Sequence, residues 1–115
     1  MIRVRRVQEE PSPDDGLRVQ VDRLWPRGVS KERAAVDVWL KEVAPSNDLR
    51  KRFHGGQVDF ETFAEQYAAE LDDNPALDEL RELVAGNDVV TLVYAARDEE
   101  HNQALLLRDR LKEGG

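Results

Sequence analysis

The sequence predicts an α/β fold, in which helices pack around a small, mostly parallel three-stranded sheet in a single domain spanning residues 1–115. Three observations predict this. Residues 89–95 are apolar on both faces, the pattern of a covered central strand. More than sixty mostly helical residues separate them from a strand predicted at 17–24, which favours a crossover and parallel pairing. A chain of 115 residues can bury one core without disulfide bonds.

Two strands open the chain. Residues 2–7 form a short strand, and residues 17–24 form a second one around Val19 and Val21. The loop at 8–16, which connects them, is rich in turn residues. A link of this length ordinarily indicates a hairpin, but a Pro-containing loop can also form a compact crossover. The residues alone therefore leave the direction of the first strand open.

A helix is predicted over residues 31–43, directly after the second strand. Ser30 is placed to cap its first turn, and Pro45 cannot continue it. Its apolar stripe consists of Ala35, Val38, Trp39 and Val43.

Two helices follow. Ser46 can cap a short helix that contains Leu49 and Phe53 and ends at residues 54–56. The next helix is predicted over residues 57–72, with its acidic side chains pointing outward. Its apolar stripe consists of Phe60, Phe63, Tyr67 and Leu71.

Two further helices flank the central strand. Pro75 begins one of them, and the Gly86-Asn87 pair ends it. Asp98 is placed to cap the last helix, at about residues 99–112. The inward-facing residues of this last helix are Ala104, Leu107 and Leu111.

The composition excludes several classes of chemistry. There is no cysteine, so disulfide bonds, thiolate-ligated zinc and cysteine nucleophiles are ruled out, and a reducing compartment is favoured. The basic amino terminus is not followed by the apolar run of a signal peptide. No apolar stretch approaches the roughly 20 residues of a membrane helix. We therefore expect a cytoplasmic protein without membrane contact.

The net charge of −7 argues against general binding to nucleic acid, but the charge is divided along the chain. Residues 18–54 carry nine basic and five acidic side chains, whereas residues 57–88 carry one basic and ten acidic. The acidic part is equally well explained as the solvated face of two helices.

Polar and aromatic side chains follow two of the predicted strands. If these strands are parallel, their carboxyl ends lie at one edge of the sheet, where open α/β proteins bind ligands. The strand at 17–24 leads into Asp22, Arg23, Trp25, Arg27, Gly28 and Lys31. The strand at 89–95 leads into Tyr94, Arg97, Asp98, His101 and Asn102. Helix N-termini and basic side chains at such an edge suit a carboxylate, phosphate or sulfate.

Within this predicted pocket, the candidate catalytic residues are Asp22, Tyr94 and Asp98. The candidate ligand-binding residues are Arg23, Arg27 and Arg97 as an anion clamp, with Trp25, Gly28, Lys31 and Asn102 beside them. An aspartate buried among arginines would stay ionised, which suits orienting a ligand better than donating a proton. The sequence therefore favours binding over chemistry, with turnover left open.

Each of these residues also has a purely structural interpretation. Asp22 could form an ion pair with Arg97, and Asp98 could serve only as a helix cap. The two tryptophans could pack in the core or at its rim. His54 could cap a helix end, and His101 suits a neutral, hydrogen-bonding imidazole.

No motif indicates a cofactor or a metal. The chain lacks a Walker loop, a Gly-rich dinucleotide fingerprint and a serine nucleophile elbow. No pair of histidines has the spacing of metal ligands. We expect neither a metal site nor a bound cofactor.

Over nearly its whole length the sequence resembles the domain-of-unknown-function 488 family, in its short YeaO-like branch. The matching motifs are Asp15-Gly16, residues 21–31 (VDRLWPRGVSK), residues 37–41 (DVWLK), residues 44–46 (APS), Leu49-Arg50, Phe53-His54, and residues 91–98 (TLVYAARD) with Asn102. The family carries no established reaction. The resemblance implies that the first two strands are parallel.

The resemblance also bears on chemistry. Longer members of the family carry a cysteine near the end of the last strand and a Cys-His-Arg motif in the next helix. Tyr94 and the Asn102-Gln103-Ala104 segment stand at those places here, so thiol or metal chemistry of that kind cannot operate. The short branch often has histidine where this chain has Gln103, which makes a catalytic role at this position less expected.

Two functions remain open. The first is a pocket at the strand ends that binds a small anionic ligand. The second is a non-enzymatic module whose arginine and tryptophan side chains contact protein or RNA, since these residue types are enriched at binding hot spots. No feature of the sequence indicates an oligomeric state.

Overall fold

A computed structural model describes residues 1–113 and contains a four-stranded, entirely parallel sheet. Its strands are β1 (Ile2–Arg6), β2 (Leu17–Gln20), β3 (Val38–Trp39) and β4 (Val90–Tyr94). Their order across the sheet is β1-β4-β2-β3. The parallel arrangement is confirmed, and so is the interior place of the apolar strand near residue 90. The sheet has four strands, however, and not the predicted three.

The additional strand lies inside the segment for which we predicted a helix over residues 31–43. Helix α1 (Lys31–Ala34) is a single turn, and Ala35 ends it in the left-handed conformation with φ of 50°. The chain then extends so that Val38 pairs with Val19 at the outer edge of β2. The helix prediction was wrong because β2 offers unpaired backbone groups at that edge, and β-branched side chains favour pairing there over helix.

The remaining helices follow the predicted order. They are α2 (Asn47–His54), α3 (Phe60–Asp72), α4 (Pro75–Ala85) and α5 (Gln103–Glu113). The Ser46 hydroxyl caps α2 by accepting from the amide of Leu49 at 3.2 Å, as predicted. Pro75 begins α4, also as predicted.

Helix α5 begins four residues later than the sequence indicated. Asp98 accepts hydrogen bonds from the amides of Glu100 and His101 at 2.9 and 3.0 Å, and these bonds close a separate bend before the helix. The side chain of Asn102 accepts from the amide of Leu105 at 3.1 Å and caps α5 instead. Asp98 therefore caps a turn, and the prediction that it caps the last helix was wrong.

The main hydrophobic core lies between one face of the sheet and helices α2 to α5. Val19 in β2 and Val21 just after it face this core, and Arg18 and Gln20 alternate with them on the other face. The core also includes Leu49, Phe63, Tyr67, Leu71, Leu77, Leu80, Val90, Leu92, Tyr94, Ala104 and Leu107. No helix within residues 1–113 has the length and apolar character needed to cross a membrane.

The opposite face of the sheet carries a buried ionic cluster under the loop that joins β1 to β2. Asp15 Oδ2 lies 2.6 Å from a guanidinium nitrogen of Arg18, and its other oxygen lies 3.6 Å from Arg3 and 3.8 Å from Arg5. The hydroxyl of Thr91 in β4 donates to the Asp15 carbonyl at 2.6 Å. These bonds fasten the connecting loop to the sheet.

Candidate functional site

Asp22 lies just beyond β2 and is held by three hydrogen-bond donors, which come from β2, from the residue after β4 and from α5. The Nε2 atom of Gln103, the first residue of α5, donates to Asp22 Oδ1 at 2.7 Å. The side-chain amide of Gln20 donates to Asp22 Oδ2, and the backbone amide of Ala95 also donates to this carboxylate. The carboxylate therefore joins the carboxyl ends of β2 and β4 to the start of α5.

Burial raises the pKa of Asp22 to about 6. The hydrogen bonds from Gln103, Gln20 and Ala95 favour the ionised form and limit the rise, as does the nearby charge of Arg50. Within residues 1–113, Asp22 forms no ion pair with Arg97, so the alternative of a structural pair between them is not realised. The partners of Asp22 are neutral amides.

Tyr94 and Asn102 are both buried, and the Asn102 side chain lies next to the Tyr94 phenol. Burial raises the pKa of Tyr94. The Asn102 amide also donates to the Asp98 carbonyl at 2.9 Å. These two residues hold the chain between β4 and α5 in place.

Asp98 and His101 form an exposed pair at the same edge. His101 Nδ1 lies 2.9 Å from Asp98 Oδ2. The backbone bond from Glu100 lowers the pKa of Asp98, and the bonds from the side chain and amide of His101 lower it further. Asp98 therefore carries a negative charge at neutral pH and orients the His101 ring.

A pocket of about 460 Å³ opens beside this pair, where α2 ends close to the segment that follows β4. It is lined by Phe53, His54, Ala96, Arg97, Asp98 and His101. Phe60 meets the His101 ring edge-on, with ring centroids 5.0 Å apart. Phe53 stacks on Phe63 at 4.4 Å, so core packing fixes this wall of the pocket.

Arg23 is engaged with the backbone that precedes α2. Its Nε donates to the carbonyl of Pro45 and its Nη2 to the carbonyl of Ala44, both at 3.0 Å. An ion pair with Glu42 at 3.8 Å adds to these bonds. The guanidinium of Arg23 therefore braces the loop next to the strand end.

The turn after β2 is held by two tryptophans. Trp25 Nε1 donates to the carbonyl of Val29 at 2.6 Å, and Trp39 Nε1 donates to the carbonyl of Asp22 at 2.7 Å. The two rings meet edge to face at 5.3 Å. Gly28 supplies the positive φ of 78° that this turn requires.

The structure thus divides the predicted site residues. Arg97 and Asp98 line the pocket, whereas Asp22, Tyr94 and Asn102 form hydrogen bonds that hold the surrounding segments. Arg23 and Trp25 brace neighbouring loops, as described above. The remaining candidates, Arg27, Gly28 and Lys31, are exposed on and after the turn that follows β2 and do not line the pocket.

Sequence reasoning missed two sets of residues. Phe53 and His54 line the pocket, although the sequence indicated a core residue and a helix cap. His101, which the sequence placed at this edge without naming it as a candidate binding residue, lines it as well. Gln20 and Gln103 hold Asp22. A signal for Gln20 was available, because a glutamine two positions before an aspartate on a buried strand shares its face.

A larger pocket lies at the opposite edge of the sheet. It has a volume of about 710 Å³ and is lined by Met1, Arg3, Pro13, Asp14, Gly16, Leu17, Asp37, Asn87, Asp88 and Val89. Its wall is built from the amino-terminal ends of strands and their loops. Across residues 1–113, no group of three or more His, Asp or Glu side chains is arranged to hold a metal ion.

The sequence has clear relatives. The family model described as "Inactive DUF488-N3 subclade" matches residues 1–114. The Escherichia coli K12 protein YeaO is 44% identical over 111 residues, which cover 96% of this chain and 96% of YeaO. Mb3100c of Mycobacterium bovis and Rv3073c of Mycobacterium tuberculosis H37Rv are each 46% identical over 110 residues, which cover 96% of this chain and 92% of theirs. All three are named as uncharacterized proteins. No solved structure matches the chain significantly.

Proposed function

The chain belongs to the DUF488-N3i family, and with that membership as the starting point we propose that it binds a small anionic ligand in the cytoplasm without turning it over. The site is the carboxyl edge of β2 and β4. The pocket at Arg97 is the observation that carries the proposal. Arg97 is exposed, and within residues 1–113 its guanidinium forms no ion pair. A free guanidinium at a concave surface is suited to bidentate binding of a carboxylate or phosphate.

Two further features support an anion at this edge. Arg27 and Lys31 are exposed on and after the turn that follows β2 and add positive charge. Such charge raises the local concentration of anions around a site and speeds their association. The strongly acidic part of the chain, residues 57–88, lies in other elements. The ligand is therefore drawn to one region of an otherwise acidic protein.

The chemistry of the pocket supports binding without turnover. Neither serine nor lysine is among its lining residues. The candidate acids Asp22 and Tyr94 are not among the lining residues either, and burial raises the pKa of Tyr94, so its phenol keeps its proton at neutral pH. The matching family model is itself described as an inactive subclade.

A thermal-shift titration tests this proposal. The probes are inorganic phosphate, sulfate and benzoate, and the proteins are the wild type, Arg97→Ala and Arg81→Ala. Arg81 is the matched control, because it is an arginine of α4 that pairs with Asp78 on the surface at 3.7 Å. A ligand at a hundred times its Kd stabilises the folded state by about 2.7 kcal/mol. We expect at least one anion to raise the Tm of the wild type and of Arg81→Ala, and Arg97→Ala to abolish that rise. An equal rise in Arg97→Ala, or none in the wild type, contradicts the proposal.

A second candidate function is a surface that contacts protein or RNA. Leu24 is 60% exposed and Trp39 is 39% exposed, and the Lys41 ammonium lies 5.6 Å from the centre of the Trp39 ring. Exposed aromatic and basic side chains of this kind can stack with bases and contact phosphates. RNA binding at this surface would fall steeply with salt and would be lost in Trp39→Ala. If RNA binding does not depend on salt and is unchanged in Trp39→Ala, this surface is not an RNA-binding site.

A further inference from the structure

We infer that the anion taken by the pocket at Arg97 is a monocarboxylate carried on a flat, apolar ring. This inference rests on the proposed function and names the chemical class of its ligand. The carboxylate pairs with the Arg97 guanidinium, and the ring lies against Phe53, Ala96 and the His101 imidazole.

The lining combines the charged side chains Arg97 and Asp98 with Phe53, Ala96 and the imidazole rings of His54 and His101. A bare inorganic anion would leave the apolar part of this lining unused. Ala96 contributes only a methyl group, and Phe53 contributes a ring that stacking on Phe63 holds in place. The His101 imidazole is held by Asp98 at 2.9 Å and by the edge-on contact with Phe60. Two fixed rings and a methyl group form a preorganised surface for a planar apolar group. An aromatic ring bound there could take the offset-stacked or edge-on geometry that aromatic pairs prefer.

The charges around the pocket favour a single negative charge. Arg97 is the only arginine or lysine among the lining residues. Asp98 stands in the same lining, and its pKa is lowered, so it is ionised at neutral pH and repels a second negative charge. A dianion such as phosphate would face more repulsion here than a monocarboxylate.

The size of the pocket agrees with such a ligand. Its volume of about 460 Å³ lies within the range of roughly 300–1,000 Å³ that is typical of small-molecule sites. A carboxylate on one or two rings fits this space, whereas sulfate or phosphate alone would leave most of the apolar wall in contact with water. Burying the ring adds to the affinity in proportion to the apolar area that is removed from water.

The test is a series of NMR titrations of the ¹⁵N-labelled protein. The probes are benzoate, acetate, benzamide, inorganic phosphate and sulfate. We expect benzoate to shift the amide signals of residues 96–101 and to bind about tenfold or more tightly than acetate, phosphate or sulfate, because the ring is buried. Benzamide keeps the ring but lacks the charge, so it should bind about tenfold more weakly than benzoate.

Two variants locate the site. Arg97→Ala removes the charge partner, and Ala96→Leu fills the apolar part of the pocket without changing any charge. Both should weaken benzoate binding about tenfold or more, whereas Arg81→Ala should leave it unchanged.

The outcomes separate this inference from the proposed function. If phosphate or sulfate binds with an affinity equal to or higher than that of benzoate, and this binding depends on Arg97, the ligand is not a ring carboxylate. The proposal of anion binding then still holds. Benzamide binding as tightly as benzoate, or no binding of any probe at millimolar concentration, overturns both.

Discussion

The Nε2 atom of Gln103 donates a 2.7 Å hydrogen bond to Asp22 Oδ1 across 81 positions of the chain. This bond ties the first residue of α5 to the segment that follows β2. Gln20 holds the other carboxylate oxygen, so the protonation of one side chain is linked to the position of two elements. The carboxyl edge of the sheet is therefore organised around a partly buried carboxylate with neutral partners.

Replacing Gln103 should raise the pKa of Asp22 further. In Gln103→Ala the carboxylate keeps its burial but loses a donor that favours the ionised form, so the pKa moves above its value of about 6. A ¹³C NMR titration of the carboxyl groups measures this shift. Gln57→Ala, at an exposed glutamine, is the control and should leave the pKa of Asp22 where it is. An unchanged pKa in Gln103→Ala would show that this bond does not form in solution.

Asp22 should make the protein less stable as the pH rises from about 4 to 6. Its folded pKa of about 6 lies above the ordinary aspartate value of 3.8, so the folded state binds more protons than the unfolded state in this window. The stabilisation is therefore fully present below pH 4 and is lost as the pH rises through 6. A raised pKa of this size corresponds to at most about 3 kcal/mol, since one unit equals 1.36 kcal/mol.

The comparison of wild type with Asp22→Asn isolates this effect. The asparagine amide can be accommodated, because Gln20 Oε1 is buried and has no hydrogen-bond partner within residues 1–113. This oxygen can accept from the asparagine after the Gln20 amide turns over. Urea unfolding between pH 4 and 7 should show that the free energy of unfolding of the wild type falls relative to the variant. Parallel curves for the two proteins would refute the expectation. Asp109→Asn, at an exposed position, serves as the control.

The ionic cluster at Asp15 should respond to pH in the opposite direction. Burial alone would raise the pKa of Asp15, but the bonds from Ser12 and Arg18 and the charges of Arg5 and Arg18 outweigh it and lower the pKa. The stabilisation is therefore present above the unfolded value of 3.8 and is lost as the pH falls toward the folded pKa.

Asp15→Asn should destabilise the fold by about 3 kcal/mol at pH 7, since it leaves the buried guanidinium of Arg18 without its counter-charge. Urea unfolding measures the loss. Asp14→Asn is the matched control, because the neighbouring side chain is exposed and forms no ion pair among the described residues. Equal stability of the two variants would mean that the cluster contributes little.

Two glycines with positive φ should tolerate alanine very differently. A Cβ at Gly16, where φ is 63°, would lie 2.1 Å from the carbonyl oxygen of Val89, which accepts the amide of Leu17 at 3.0 Å. Gly16→Ala should therefore cost about 3 kcal/mol or more, from backbone strain and a disrupted sheet bond.

Gly28→Ala should cost only about 1 kcal/mol. Its φ of 78° is also unfavourable for alanine, but nothing lies within 4 Å of the added Cβ. Thermal and urea unfolding of both variants measure the difference. A Gly28→Ala variant as unstable as Gly16→Ala would indicate that the turn after β2 is packed more tightly than this geometry implies.

Much of the fold could be predicted from the sequence because its signals are local. The apolar run near Val90, the intervals of three and four between Phe60, Phe63, Tyr67 and Leu71, and Pro75 at the start of α4 all act within a few residues. Strand β3 could not be predicted in this way. Val38 and Trp39 fit a helical stripe as well as a strand, and only the free edge of β2 selects the strand.

For the candidate site, the sequence predicted only which residues lie at one edge of the sheet. The connection lengths and the family resemblance indicated parallel pairing, and β2 and β4 do pair in parallel. This pairing brings Asp22 and Arg97 to the same edge of the sheet. The partners of those residues did not follow. Asp22 meets Gln103 and Arg23 meets the backbone at Ala44 and Pro45, and no spacing in the chain encodes these contacts.

By itself the sequence determined the α/β class, the parallel direction of the two later predicted strands, the central apolar strand, the absence of thiol chemistry and the edge of the sheet where polar residues gather. These depend on residue types and on periodicity over short distances. Only the tertiary structure decided that β3 replaces most of a helix, that Asp22 is held by amides, and that Arg97 shares a pocket with Phe53 and His101. The physical reason is that hydrogen-bond partners, burial and pocket walls come from residues distant in sequence, and packing alone brings them into contact.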